Sequence, residues 1–297
     1  MILITGCTGY IGKRLTSAML KRGFKVRGLV PKSELNKAKP LVNKGMELWK
    51  GDLFDSNTLH GIGKNVKVVY HLAGLHSSVE KMNKLYVEGT KSLVNQLNNS
   101  SIEEFYFSSS GAVYGDYGDK LLTENYPPEP IHPFGVISAN VEKFLLQLFN
   151  EKRFPCIIFR IGEVYGPGEY NPLKKASYSG LRGLGNGLNY TSKIHIEDLI
   201  SILTTSPKKL KVGKIYNLVD DIPVLQKDFY NEIVKISGCP SPIWIPKDTV
   251  PERIKLSIHG LRMLSIRMSN ASIKKNLNYK FIFPSYHEGL NNLIENK

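Results

Sequence analysis

Residues 2–4, Ile-Leu-Ile, make a short unbroken apolar run, the pattern of a strand covered on both faces of a parallel sheet. After a glycine-bearing turn, apolar residues return at helical spacing at Ile11, Leu15, Ala18 and Met19. That stripe stops at Gly23, a residue suited to the position just past a helix. A second apolar run occupies 26–30. Strand, turn, helix and strand in this order predict one right-handed βαβ unit. The longest apolar stretches, such as CIIFRIGEVYG, fall far short of the ~20 residues of a membrane span. No heptad, repeat period or low-complexity segment is present.

The turn between the first strand and the helix carries Gly6, Gly9 and Gly12, spaced three and three. Each has a separate physical task. Gly6 permits the tight exit from the strand, Gly9 lets the backbone approach a pyrophosphate, and Gly12 lets the helix pack close to the sheet. The diphosphate would then rest on free N–H groups at a helix N-terminus. A strand before and a helix after are what make such glycines a cofactor loop rather than plain turn punctuation. Thr8, Tyr10 and Ile11, between the glycines, join the expected cofactor contacts.

Size and charge narrow the class. A chain of 297 residues holds one large α/β domain, or such a domain with a smaller lobe, and 41% apolar residues supply its core. The net charge of +14 suits polyanions or phosphorylated ligands. The lysines are nevertheless spread along the sequence (KKLKVGK, ASIKKN, NKAKP), the pattern of a solvated lysine-rich surface that still tolerates an anionic substrate. Cys7, Cys156 and Cys239 have no metal-ligand spacing and are odd in number, so reduced thiols and no metal are expected. Met1 leads straight into ILITG without a basic leader, which points to the cytoplasm, with no membrane partner and no nucleic-acid partner expected.

The spacing TGxxGxxG resembles the extended and atypical branches of the short-chain dehydrogenase/reductase superfamily, the NAD-dependent epimerases and dehydratases. The resemblance continues in family order through KGDLFD, VVYHLAG, YVEGTKSLV (with Glu88 where Asn is usual), FYFSSSGAVYG, FRIGEVYGPGE, KIHIEDLI, IYNLVDD and NYKFIFPSYHEGLNNLI. It implies an α/β fold: a Rossmann-type, doubly wound parallel sheet over 1–166 and 193–220, with a small substrate lobe from 167–192 and 221–297. It also implies cofactor contacts from Asp52, Leu53, Leu72, Ala73, Gly74 and Ser108. Relatives that prefer NAD place an acid at the end of the second strand, and here that position is Val30, followed by Pro31 and Lys32. With Lys13 and Arg14 also near the glycine loop, NADP is expected ahead of NAD, and Lys32 is its expected phosphate partner.

The family's catalytic frame, P-Y-G-x-S-K-x-x-x-E, lies on PFGVISANVE. Pro133, Gly135 and Glu142 match, while Phe134 takes the place of the proton-transferring Tyr and Ser138 that of the Lys. Losing general acid–base catalysis costs about 10²–10⁴-fold in rate. Replacement groups are Ser110, at the family's catalytic hydroxyl, together with Tyr114, His132 and Glu163, which stands where sugar-nucleotide enzymes usually have Asn. Lys174, Lys175 and Arg182 lie where relatives touch substrate phosphates, and Arg262 and Arg267 are further candidates. Three readings stay open: an oxidoreductase, epimerase or dehydratase on a nucleotide sugar or small polyol with altered acid–base groups; a non-catalytic NAD(P)-binding sensor or partner-binding module; and an RNA-associated role. Relatives also imply a homodimer through the helix at 134–150.

Overall fold

The computed structural model describes residues 1–75, 77–97 and 100–295. The chain divides into two compact units, one of 1–109, 137–159 and 200–215, the other of 110–136, 160–199 and 216–297. Of the stretches expected in the Rossmann domain, 110–136, 160–166, 193–199 and 216–220 fall in the second unit.

Seven strands form the main sheet: β1 (Ile2–Thr5), β2 (Val26–Val30), β3 (Glu47–Lys50), β4 (Val68–His71), β5 (Glu104–Ser110), and, after the two-residue β6 (Leu121–Leu122), β7 (Cys156–Ile161) and the late strand Lys214–Leu218. The order is late strand-β7-β5-β4-β1-β2-β3. Neighbours among β1–β5 run parallel and start level, with Ile2 opposite both Val26 and Val68, and Val68 opposite Glu104. The order reverses between β1 and β4, the place where doubly wound sheets bind ligands outside the carboxyl ends of their strands. β1, β2, β4 and β7 are buried along their full length, including the polar Thr5, Arg27, His71 and Arg160 within their largely apolar sequences, whereas the edge strand β3 is partly exposed and carries Glu47 and Lys50 at its ends.

Helix α1 (Tyr10–Lys21) follows β1, α2 (Leu35–Val42) follows β2, and α3 (Val79–Asn83) and α4 (Thr90–Leu97) follow β4. The 20-residue α5 (Pro133–Lys152) precedes β7.

A directed chain of hydrogen bonds crosses the first unit. Ala73 N–H donates to Thr5 Oγ1, whose hydroxyl donates to His71 Nδ1 at 2.7 Å. His71 Nε2 then donates to Thr90 Oγ1 at 2.9 Å, and Thr90 donates to the Tyr86 carbonyl. Because the backbone ends can act in one sense only, His71 is the neutral Nε2–H tautomer. Burial pushes its pKa down to about 4. The chain ties the C-terminal end of β1 to the Leu72–Gly74 turn.

The second unit is built from short strand pairs, among them the parallel pair Glu163–Tyr165 with Lys193–His195, and from helices at Pro172–Ser179, Gln226–Ser237 and Tyr286–Glu295. Tyr165, Leu173, Phe229, Ile233 and Leu290 make its apolar core. Fully buried Asp198 accepts from the Ile282 and Phe283 N–H groups and the Tyr279 hydroxyl, which fastens the C-terminal segment to the helix Ile196–Thr205.

Candidate functional site

In the first unit the three glycines separate into structural and ligand-facing roles. Gly6 has φ +66°, and a Cβ there would lie 2.8 Å from the Ala73 backbone and the Leu72 carbonyl. A Cβ on Gly12 would fall 2.0 Å from Gly6 O, so only glycine lets α1 start this close to the turn. Gly9 is exposed, and a Cβ on it would meet nothing nearer than Gly6 O at 3.4 Å, which leaves its outer face clear for a ligand. Gly9 is also the N-cap of α1 without any capping side chain, and no acid stands in the helix's first turn. The free N–H groups and the positive end of a 12-residue helix therefore face outward as an anion site. This cradle fits the diphosphate of a dinucleotide.

The other expected cofactor residues vary in accessibility. Thr8, Ile11, Asp52, Leu72, Ala73 and Ser108 are partly exposed and Gly74 is exposed. Tyr10 is buried beneath the Arg14 guanidinium, 4.0 Å from its ring centre, and Leu53 is buried with its Cβ where a Cβ on Gly89 would sit 3.0 Å away. Lys32 is exposed. The residue that sequence spacing missed is Glu34. It ends a 3₁₀ turn after β2, accepts from the Thr8 hydroxyl of the glycine loop, and accepts from Lys37 Nζ at 3.0 Å. Burial opposes its charge, yet Thr8 and Lys37 outweigh burial and hold its pKa below the usual value. An acid followed by Lys at i+3 just past the second strand is the signal that could have revealed it.

At the catalytic frame, Phe134 is 9% exposed and Ser138 is 1% exposed, its Oγ without a hydrogen-bond partner. Gly135 explains the frame's glycine: a Cβ would stand 2.3 Å from Ala112 O, so its absence seats the first turn of α5 on the 3₁₀ turn Gly111–Tyr114. Ser110 caps that turn, accepting from Ala112 N at 3.1 Å and keeping its own proton to donate. Glu142, 2% exposed, accepts from Ser109 Oγ at 2.5 Å and anchors the middle of α5 in the first unit.

The remaining candidates are engaged. His132 Nδ1 accepts from Phe134 N at 3.2 Å and its Nε2 donates to Ser257 O at 3.0 Å, so it caps α5 as a neutral ring, and burial lowers its pKa. Tyr114 is fully buried, its hydroxyl 2.8 Å from Asn217 Oδ1 and 3.1 Å from Thr123 O, with the Arg160 guanidinium 4.5 Å from its ring centre; burial raises its pKa.

Glu163 lies at the centre of an ionic cluster in the second unit. Its Oε2 accepts from Lys193 Nζ at 2.6 Å and its Oε1 lies 3.3 Å from Arg262 Nη2. Burial would raise its pKa, but Lys193 and Arg262 bring it down to about 2. Lys193 is 3% exposed and also sits 3.8 Å from the Phe229 ring centre. The Tyr230 hydroxyl bonds Arg262. Arg262 therefore joins the cluster, while Lys175 is exposed. Arg267 instead stacks 4.9 Å from the Tyr190 ring centre and bonds Asp119 O, and Lys174 and Arg182 are exposed. Lys193, inside the short strand Lys193–His195, opens the KIHIEDLI segment but was not among the expected site residues. Among the described residues no group of three potential metal ligands occurs, and no helix is long and apolar enough to cross a membrane.

The profile of the NAD dependent epimerase/dehydratase family matches residues 2–218. A dTDP-D-glucose 4,6-dehydratase of Dictyostelium discoideum is 26% identical over 273 residues, 80% of this chain and 62% of that protein. A UDP-glucose 4-epimerase of Neisseria meningitidis is 31% identical over 183 residues, covering 57% of this chain and 54% of its own. The chain thus spans less than two thirds of either relative's length. Among solved structures, the NAD complex of dTDP-glucose 4,6-dehydratase from Bacillus anthracis aligns over 99% of this chain and 95% of its own, with TM-score 0.82 at 20% identity. A Thermotoga maritima UDP-glucose 4-epimerase with UDP-glucose aligns over 99% and 97%, with TM-score 0.81 at 20% identity. These likenesses carry the fold, and the profile spanning both the glycine loop and the PFG helix carries the family: the chain belongs to the NAD-dependent epimerase/dehydratase family.

Proposed function

We propose that the protein is an NAD-dependent enzyme that alters the sugar of a nucleotide-sugar substrate by epimerisation or dehydration, with the usual Tyr–Lys chemistry replaced. The carrying observation is the cation excess around Glu163. Lys193 and Arg262 bring two positive charges to one carboxylate, and the net positive charge attracts a diphosphate-bearing ligand. Relatives named for dTDP- and UDP-sugars support the same class.

When bound, the dinucleotide takes up and returns a hydride. The chain's own residues hold and orient. The α1 N-terminus holds the diphosphate, Arg262 and Lys175 hold the substrate's phosphates, and the Ser110 hydroxyl donates to the reacting sugar oxygen. Phe134 supplies a wall and no proton. The Thr8–Glu34 contact places a carboxylate beside the glycine loop, where it accepts a ribose hydroxyl and repels a 2′-phosphate, so the dinucleotide is NAD rather than NADP. Replacing Glu34 with Arg is expected to shift the NADP-to-NAD affinity ratio at least about tenfold toward NADP; an unchanged ratio by fluorescence titration removes Glu34 from that role.

One observation favours the non-catalytic reading. Phe134 and Ser138 carry no titrating proton, His132 is tied on both nitrogens, and Glu163 titrates near 2. The two readings part in one experiment. UDP- or dTDP-glucose is mixed with the NAD-loaded protein while absorbance of the reduced nicotinamide and sugar product are followed. Slow turnover in the native chain, abolished in Ser110→Ala and raised about 10²-fold or more in the Phe134→Tyr, Ser138→Lys double variant, is the expected result. Absence of nucleotide-sugar binding by calorimetry sinks the proposal, and binding without turnover in either chain gives the module reading its case.

A further inference from the structure

The lysines that look dispersed in sequence are gathered by topology. In a parallel sheet every strand begins at the same edge. Here the entries into successive strands are hydrogen-bonded side by side: Ile2 N to Lys25 O, Lys67 N to Met1 O, Glu103 N to Lys67 O, Phe105 N to Pro155 O, and Gly213 N to Cys156 O. Four of these six entries, those into β2, β4, β7 and the late strand, are basic. The turn into β2 holds Lys21, Arg22 and Lys25, all exposed. That into β4 holds Lys64 and Lys67, and that into β7 holds Lys152 and Arg153. The turn into the late strand holds Lys208, Lys209 and Lys211, with Lys208 80% exposed.

Carboxylates on this edge are few and occupied. Glu103 is shared between Lys67 at 3.3 Å and Lys208 at 3.8 Å, buried Glu104 accepts from Lys208 N, and Glu151 accepts from Gln147. The edge therefore carries many more cations than carboxylates at the end of the sheet opposite the glycine loop, all within the first unit. Two apolar side chains project among the lysines, Phe24 at 42% exposure and Val212 at 38%.

The nature of the cations and of these apolar tips identifies the partner. The projecting charges are mainly lysines, hydrated point charges, and Arg22 spends its guanidinium on Thr204 O at 2.7 Å. Single-stranded nucleic acid is held by several aromatic platforms, and among the described residues of these turns Phe24 is the one exposed aromatic. Lysines with interspersed apolar tips match a surface that meets anionic headgroups and dips apolar groups among them. We infer that the strand-entry edge of the first unit is a peripheral docking surface for an anionic lipid bilayer, with the lysines on the headgroups and Phe24 and Val212 in the interface. It does not depend on the reaction proposed above.

The test is co-sedimentation of the full chain with phosphatidylcholine vesicles, with and without phosphatidylserine. Binding to the phosphatidylserine vesicles alone, weakened by salt, is expected. The Lys21→Ala, Lys25→Ala, Lys209→Ala triple variant should lose about a hundredfold in partitioning, and Phe24→Ser a smaller part, with NAD affinity and melting temperature unchanged as the check on folding. Absence of binding, or binding that the triple variant leaves untouched, overturns the inference. So does tighter binding of a poly-uridine probe than of the vesicles, which would assign the edge to nucleic acid.

Discussion

Glu163 shows at the residue scale how a position changes meaning with its neighbours. As an isolated acid in the place of a usual Asn it is a candidate base; between Lys193 and Arg262 it is a permanent anion. Its side chain is 40% exposed, so the pair is screened and worth less than a fully buried one. Glu163→Gln should cost about 1–2 kcal/mol of stability, because it strands Lys193 at 3% exposure. The same change frees Arg262 and should tighten UDP binding. Denaturant unfolding and calorimetric titration read the two effects, and a loss of both stability and UDP affinity would show that Glu163 only holds Arg262 in place. Little of this was legible in sequence, since Lys193 and Arg262 meet Glu163 from 30 and 99 residues away.

At the element scale the glycines of the first turn divide by what surrounds them, and this gives a paired prediction. Gly12→Ala puts a methyl 2.0 Å from Gly6 O, backbone against backbone, and should cost about 3 kcal/mol or more. Gly9→Ala meets only an ordinary contact at 3.4 Å and should leave unfolding nearly unchanged while weakening NAD binding about tenfold or more. Urea melts and NAD titrations of both variants check the split; equal loss of stability in the two would refute the division of roles. This element was readable in advance because every determinant, strand, glycines and helix, lies within 30 consecutive residues. The cap of α5 was not: in sequence His132 was a candidate acid–base group, and its bonds to Phe134 N and to Ser257, 125 residues on, settle its tautomer and its structural task.

For the whole molecule, buried histidines set the acid limit of stability. His71 has a folded pKa near 4 against 6.5 when unfolded, so the unfolded chain binds the extra proton. The stability due to its neutral form is complete above about pH 6.5 and is lost as pH falls toward 4; His132, also lowered, acts in the same sense. Asp198 and Asp220, whose pKa values burial raises, act in the opposite sense and favour the fold at lower pH. The His71 share is therefore isolated by comparison: His71→Gln should flatten the fall in stability between about pH 6.5 and 4 relative to the native chain, measured by thermal melts. Parallel curves would remove His71 from the account.

At this same scale the sequence and the structure divide their contributions. The sequence alone determined the βαβ start, the glycine loop, the family order of motifs and the presence of Phe134 and Ser138 in the PFGVISANVE frame, because local spacing and register are carried by neighbouring residues. Only the tertiary structure decided that Glu34 reaches the glycine loop, that Glu163 is held by two cations, and that lysines dispersed from position 21 to 211 crowd one edge of the sheet. Each of these depends on side chains brought together by parallel strands and crossover helices, and the distance between two charges in space is not written in their separation along the chain.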